Sequence, residues 1–322
     1  MWDESLTYLT PVYNGSAYIE GVIASVAAQR SADGARYRHV IVDDGSTDGT
    51  WEVLKRASAV SDGRLTTIHT TNGGEASAVN RAMDEVSTPY VCIVNADDPL
   101  LDDHGRSMTA ALDADPDVVV AYPDWLMIDS QGDVLLTRST KPYDIRALVG
   151  DFVCLPGPGA VIRRSALLGP MRNARYRYVS DFELWVRLAP IGPFVRVPDV
   201  LATWRQHEAG ATATGAGTRI AEELLRLAEE DLPHLLGPDL QRRHGRSARA
   251  HAKYYAALQL AGEDPRRARR LVVSSIVSKP LPNIGYDTDH RHPIGIVLAM
   301  SGRGGSRLLA WAGRIRRRVT RQ

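Results

Sequence analysis

The sequence predicts an α/β fold, a mostly parallel sheet flanked by helices, with a helical C-terminal extension. Two observations carry this. From Leu6 to Val94, short apolar runs alternate with segments of helical apolar spacing, the β-α-β order of a parallel sheet covered on its faces. Beyond Gly217 the clearest patterns are helical, over Ile220–Asp231 and Ser247–Ala261.

In chain order, Leu6–Val12 reads as a strand that runs out at Pro11 and Asn14-Gly15. Tyr18–Gln29 has helical spacing, and His39–Val42 is a β-branched run ending in acidic residues and glycine. Thr50–Ala59 reads as helix, Leu65–His69 as strand, Glu75–Val86 as helix and Tyr90–Val94 as an apolar strand. The middle is less regular. Val118–Tyr122 and Trp125–Ile128 read as two strands, with Ser130–Asp133 as a turn. Cys154–Gly159, with two prolines and two glycines, reads as a shaped loop. Asp181–Leu188 is a helix with Leu184, Trp185 and Leu188 on one side. The Gly/Ala/Thr-rich stretch Ala209–Gly217 divides the chain into a domain over 1–210 and a helical region over 211–322.

Composition narrows the classes. The 322 residues suffice for one large domain or for one with a smaller companion, and 44% hydrophobic with 24% charged residues is a globular mixture. A net charge of +1 argues against a general polyanion binder, so no nucleic-acid partner is expected. Two cysteines, Cys92 and Cys154, build neither a disulfide framework nor a cysteine zinc site; Cys92, inside an apolar run, is expected to be buried. The N-terminus lacks a signal-peptide pattern, and no apolar stretch is long enough to span a bilayer. The cytoplasm is the expected compartment, with the membrane surface left open.

Open α/β sheets place ligands beyond the carboxyl ends of their strands. The polar clusters fall there: Asp43-Asp44-Gly45-Ser46 after one strand and Asn95-Ala96-Asp97-Asp98 after another. Adjacent carboxylates at a strand end are costly unless a cation or hydrogen bonds compensate them, and their oxygens suit Mg²⁺ or Mn²⁺. The plain alternative is a solvated turn that caps the next helix. Asp44 can accept from a base N–H, while Asp48 or Ser46 can cap the helix that starts near Thr50. Arg81, after Asn80, can face phosphate or solvent. Asp181, at a helix start, can deprotonate a hydroxyl or merely cap the helix, and Glu183 is the next candidate base. His207 is a metal ligand or a surface histidine.

Taken together, these pieces have a family order. The chain carries Thr10-Pro11-Val12-Tyr13-Asn14-Gly15, then Val42-Asp43-Asp44-Gly45-Ser46-Thr47-Asp48-Gly49-Thr50. Asn72-Gly73-Gly74 with Asn80, Asn95-Ala96-Asp97-Asp98, Asp181-Phe182-Glu183-Leu184-Trp185 and Arg205-Gln206-His207 follow. This set resembles the inverting family 2 glycosyltransferases of GT-A fold, including bacterial enzymes of surface-polysaccharide assembly. The resemblance implies that Pro11, Val12, Asn14, Asp44 and Asn80 bind the donor, with Asp44 reading the base. It implies that Asp97 and Asp98 form the metal and ribose-diphosphate motif, that Asp181 is the catalytic base, and that Arg205 and His207 close over diphosphate and metal. The cofactor implied is Mn²⁺ or Mg²⁺. The partners implied are a nucleotide-sugar donor, by default a UDP-sugar, and a saccharide or lipid-linked acceptor. Asn95 stands where many relatives have the first Asp of Asp-x-Asp, and Ser180 where a Glu often precedes the base.

Two other functions compete with this one. A sugar-phosphate nucleotidyltransferase would need a basic glycine-rich loop near the N-terminus, and Pro11–Gly15 has no Lys or Arg. A non-catalytic sugar-nucleotide-binding protein would not require Asp97, Asp98 and Asp181 together. Finally, a helix over Ser306–Val319 would gather Leu308, Leu309, Trp311 and Ile315 on one side among arginines, a pattern that suits peripheral contact with an anionic membrane surface.

Overall fold

The computed structural model describes residues 2–207 and 216–279; the expected helix over Ser306–Val319 lies outside them. The chain divides into a first unit of residues 1–143 and 154–213, and a second made of 144–153 with the chain beyond 213. Sequence put the division at 210 and did not separate the excursion at 144–153.

The first unit is built on one sheet. Its strands are β1 (Trp2–Val12), β2 (Arg36–Asp43), β3 (Leu65–His69), β4 (Tyr90–Ile93), β5 (Val120–Ile128), β6 (Val134–Arg138), β7 (Val161–Arg163) and β8 (Phe194–Arg205). The order is β3-β2-β1-β4-β7-β5-β6, and β8 pairs with β5. Strands β1 to β4 pair in parallel, as the alternation with helices requires. β7 then enters antiparallel to both β4 and β5, β6 returns antiparallel to β5, and β8 lies parallel to β5. The sheet is therefore mostly parallel, with β6 and β7 running against the rest. The two runs read as separate strands at 118–122 and 125–128 are one strand, β5. Pro123 between them pairs in register with Val197 of β8, whose register shifts there. A proline is admissible where it interrupts a ladder at such an irregularity.

Helices α1 (Ile19–Ala28), α2 (Thr50–Ala59), α3 (Glu75–Met83), α4 (His104–Asp113) and α5 (Ser180–Leu188) complete this unit. α1 buries Ile19, Val22 and Val26, spaced to lie on one face. α3 buries Ala78, Val79 and Ala82, and α5 buries Leu184, Trp185 and Leu188 as the spacing required. Leu6, Tyr8, Ile41, Leu54 and Cys92 are fully buried in one core cluster. Each such apolar side chain contributes about 1.5–3 kcal/mol relative to exposure.

The second unit contains α6 (Gly217–Arg226), α7 (Leu232–Leu235), α8 (Pro238–Leu260) and α9 (Pro265–Ser278). Alanines make much of its packing: Ala221, Ala256, Ala257, Leu260, Ala268 and Val272 form its core cluster. α8 begins well before the expected Ser247, because Pro238 occupies its first turn and Asp239 supports it there. The excursion carries Asp151, buried among His251, Ser247 and Lys279 of this same unit.

Two buried imidazoles of the first unit contribute to its acid sensitivity. His39 Nε2 meets Thr10 Oγ1 at 2.8 Å, and burial lowers its pKa to about 3. His104 Nε2 donates to Gly159 O at 2.8 Å, so its Nδ1 accepts from Tyr8 at 3.0 Å, and burial lowers its pKa to about 4. Both groups bind protons more weakly folded than unfolded. Their contribution is therefore complete above the unfolded value near 6.5 and is lost as pH falls toward 4 and 3. Urea unfolding should show each imidazole removing about 1.4 kcal/mol per pH unit below about pH 6.5, opposed by the buried Asp98, whose raised pKa acts in the other direction below about pH 7. A level stability between about pH 7 and about pH 5 would contradict this account.

Candidate active site

The carboxyl ends of β1, β2, β3, β4 and β8 carry the polar residues that the sequence singled out. Their loops are tied together by side chain to backbone bonds. Asn14, with φ 53°, turns the chain after β1. Its N–H donates to Ser46 Oγ at 2.8 Å, and its Oδ1 accepts from Thr47 N at 2.8 Å. Asp48 accepts from Thr50 N at 3.0 Å and from Ser16 N at 3.1 Å. Partial burial opposes ionisation of Asp48, but the bonds from Thr50 and Ser16 hold its pKa down at about 2. Asp48 therefore braces the start of α2, as the capping alternative supposed, and ties the β1 loop to it as well.

Asp43 is buried, with His69 Nδ1 at 2.8 Å from its Oδ2. Asp44 is 3% exposed; its Oδ1 accepts from Gly73 N at 2.8 Å and its Oδ2 from Gly74 N at 2.7 Å. In this structure Asp44 holds the loop before α3. Gly45 lies at φ 75°, and a Cβ there would come within 2.8 Å of Asn72 N, so this close approach of the β2 and β3 loops needs glycine. Pro11 and Val12 end β1, and Asp44 N donates to Val12 O at 2.8 Å.

The second cluster follows β4. Asp98 is 3% exposed, and both its oxygens are used: Oδ1 accepts from Arg205 N at 2.7 Å and Oδ2 from Asn95 Nδ2 at 2.8 Å. Burial, and then the neighbouring charge of Asp97, push its pKa up to about 7. Asp97 Oδ2 lies 2.8 Å from His207 Nε2. Arg205 donates from Nε to Asp97 O at 2.9 Å and from Nη1 to Asp129 O at 2.9 Å. Its guanidinium lies 4.8 Å from the centre of the Tyr18 ring, which also packs 4.9 Å from the His207 ring. The structure thus brings Asp97, Asp98, Arg205 and His207 together. It adds two residues that sequence reasoning missed in these roles: Asn95, which orients Asp98, and Tyr18, the platform under Arg205 and His207. No local pattern marks Tyr18.

The acid-base candidates separate. Asp181 is exposed in the first turn of α5, where its Oδ1 accepts from Phe182 N at 2.7 Å. Glu183 is corrected as the next candidate base: it is 1% exposed and paired with Arg187 at 3.1 Å, so it has no access to an acceptor. Arg81 pairs along its own helix with Glu85 at 3.1 Å and Asp84 at 3.4 Å, the solvated alternative. Asn80 does not stand free toward a ligand. Its Nδ2 donates to Arg172 O at 2.8 Å and its Oδ1 accepts from Arg172 N at 2.9 Å.

Among the described residues, no three His, Cys, Asp or Glu side chains are grouped to hold an ion unaided. The reason lies in Asp98, whose oxygens face Arg205 N and Asn95. Asp97 and His207 remain as an oxygen and nitrogen pair at the site's rim, and two protein ligands suit a cation that takes its other oxygens from water and diphosphate.

The sequence model described as Glycosyl transferase family 2 matches residues 7–168. A relative named "Putative teichuronic acid biosynthesis glycosyltransferase TuaG", from Bacillus subtilis (strain 168), is 34% identical over 98 residues, 30% of this chain and 37% of the relative. The first three curated relatives are matched over only 13%, 37% and 15% of their own lengths. S. aureus TarS 1–349 in complex with UDP-GlcNAc has a TM-score of 0.65 at 17% identity, covering 85% of this chain and 81% of that one. The mannosyltransferase PcManGT from Pyrobaculum calidifontis, in complex with GDP-Man and Mn²⁺, has a TM-score of 0.57 at 19% identity, covering 88% and 78%. These two structures share the fold.

The Asp44 geometry yields a graded outcome. Asp44→Ala should cost roughly 2–3 kcal/mol, since two backbone donors lose a charged acceptor. Asp44→Asn keeps one acceptor and should cost about half as much. Thermal unfolding reads both losses. Equal stability of Asp44→Ala and the parent chain would show that the Gly73-Gly74 loop does not depend on this carboxylate.

Proposed function

The chain belongs to glycosyl transferase family 2, and from that membership we propose that it transfers a sugar from a nucleotide-sugar donor to an acceptor hydroxyl with inversion, in the assembly of a cell-surface polysaccharide. The observation that carries the reading is the meeting of Asp97 and His207, 2.8 Å apart but 110 residues apart in sequence, at the carboxyl edge of the sheet. A purely structural turn after β4 would not require a second element to bring an imidazole there. The rival nucleotidyltransferase reading lacks its basic loop: the β1–α1 turn is held by Ser46, Thr47 and Asp48 instead.

In this reading the nucleoside lies against Pro11, Val12 and Asn14, beside the loop that Asp44 braces. Asn80 acts on the donor side through the segment that it clasps. Asp97 and His207 would hold Mn²⁺ or Mg²⁺, with Asp98 behind them fixing Arg205 and Asn95. The bound cation supplies counter-charge to the diphosphate leaving group. Arg205 keeps His207 and Asp97 in place through its bonds and its contact with Tyr18. Asp181 is exposed in the first turn of α5 and takes the proton of the attacking hydroxyl. Backside attack on the anomeric carbon then inverts its configuration.

A UDP-sugar is the proposed donor, and a saccharide or lipid-linked molecule the acceptor. Among the described residues no helix is long and apolar enough to cross a membrane. The proposal places the reaction in the cytoplasm, and any peripheral membrane contact would fall to the 306–319 segment.

Two outcomes test this. Incubated with a panel of nucleotide sugars, the chain should release nucleoside diphosphate with Mn²⁺ or Mg²⁺ and stop in EDTA; full turnover in chelator would remove the metal from the proposal. Asp181→Asn should keep donor binding, read calorimetrically, and lower turnover by about 10²–10⁴-fold. Near-normal turnover of that variant would mean that another group takes the proton.

A further inference from the structure

Arg172 has surroundings that are unusual for a buried cation. Its side chain is 8% exposed, and its Nε and Nη1 are buried without a hydrogen-bond partner. Glu75 Oε1 stands 3.5 Å from Nε, an ion-pair contact that leaves both donors unsatisfied. Burying a guanidinium while its N–H groups go unmade is costly. The fold nevertheless holds it there. Asn80 of α3 grips the Arg172 backbone on both sides, at 2.8 and 2.9 Å, across 92 residues of sequence.

Trp185 Nε1 of α5 is likewise buried without an oxygen or nitrogen acceptor, and the Cys154 sulfur is its only polar neighbour among the described contacts. The Cys154 thiol lies beside the Trp185 indole and in the field of Asp181 and Arg172, and the charges of Arg172 and Asp181 both act on Glu75. Arg172, Trp185, Glu75, Cys154 and Asp181 therefore share one neighbourhood, which contains the proposed base. Unpaired donors of this kind await an acceptor oxygen. The Nε–H and Nη1–H donors lie on different edges of the guanidinium, and each can give one charge-assisted bond to a phosphate oxygen.

We propose that Arg172, with Trp185 Nε1 beside it, is a phosphate subsite of the catalytic crevice, filled by a phosphate group that a substrate carries. The inference rests on the glycosyltransferase reading, because that reading puts Asp181 at the acceptor hydroxyl. Two sources share this chemistry: the donor's diphosphate and a phosphate on the acceptor. Asn80 and Glu75 belong to α3, on the donor side of the proposed reading, whereas Asp181 stands at the acceptor, so the binding experiment decides between the two sources. Asn80 is on this account a positioning residue, and Arg172 is the group that touches ligand.

Binding by the full chain, read by calorimetry without turnover, tests the subsite with two probe pairs: UDP against uridine, and glycerol 3-phosphate against glycerol. The parent chain should bind the phosphate-bearing member of at least one pair more tightly. Arg172→Gln should reduce that advantage by about tenfold or more, the worth of a hydrogen bond to a charged group. Arg172→Lys, which keeps the charge but not the Nε and Nη1 donors, should fall between, and the neutral probes should be unaffected. A loss confined to UDP assigns the subsite to the donor's diphosphate, and one confined to glycerol 3-phosphate assigns it to the acceptor. Unchanged phosphate binding by folded Arg172→Gln overturns the proposal, as does a parent chain with no phosphate advantage in either pair. Should Arg172→Gln fail to fold, Trp185→Phe keeps the ring and deletes the Nε1 donor, and unchanged binding there overturns it equally. A chain that binds phosphate through Arg172 yet releases no nucleoside diphosphate from any nucleotide sugar would keep the subsite and lose the transferase reading.

Discussion

Two carboxylates stand side by side after β4, and one of them is almost completely withdrawn from water. Burial and the charge of Asp97 both work against ionisation of Asp98, which is why its pKa is pushed up to about 7. Such a pair persists only where donors surround it. Arg205 N and Asn95 Nδ2 serve Asp98, while His207 serves Asp97. Because Arg205 ends β8 and Asp98 follows β4, this compensation joins two strand ends that are not neighbours in the sheet. The position of the rim pair Asp97 and His207 follows from it.

The other side of the crevice is held by the same kind of bond with less charge in conflict. Asp43 takes His69, Asp44 takes two consecutive glycine N–H groups, and Asp48 takes Thr50 and Ser16. Each aspartate faces donors of a different loop or of its own helix start. The loops after β1, β2 and β3 are thereby fixed to one another rather than to the core. Loops held in this way carry binding residues on a rigid scaffold, which is where such residues concentrate.

Much of this architecture was legible. Helix α2 and strand β3 have the limits that apolar spacing assigned, because each is bounded by residues with strong local preferences. The parallel start of the sheet followed from alternation alone. The return of β7 against β4 did not: three residues, Val161–Arg163, carry no direction in their pattern. Nor did the fusion of two apolar runs into β5, since a proline normally ends a strand and only the irregular pairing with β8 admits it.

For the site, the sequence placed the Asp43-Asp44 and Asp97-Asp98 clusters at one edge, because polar clusters after apolar strands gather there, and the family resemblance added Arg205 and His207. What each does there was decided by tertiary contacts. The same carboxylate type is a buried strut at Asp98, a rim ligand candidate at Asp97 and a loop brace at Asp44, and the difference lies wholly in which N–H groups face it. Asn80 reads in sequence as a donor-binding residue and is found clasping Arg172, and Arg172 itself sits in a stretch without any readable pattern. Sequence determined the elements and the chemistry available at their ends, since periodicity and turn preference are local properties. The tertiary structure alone decided which charges are buried, which are paired and which are left with donors unmet, since desolvation and partner distance arise only when remote segments meet.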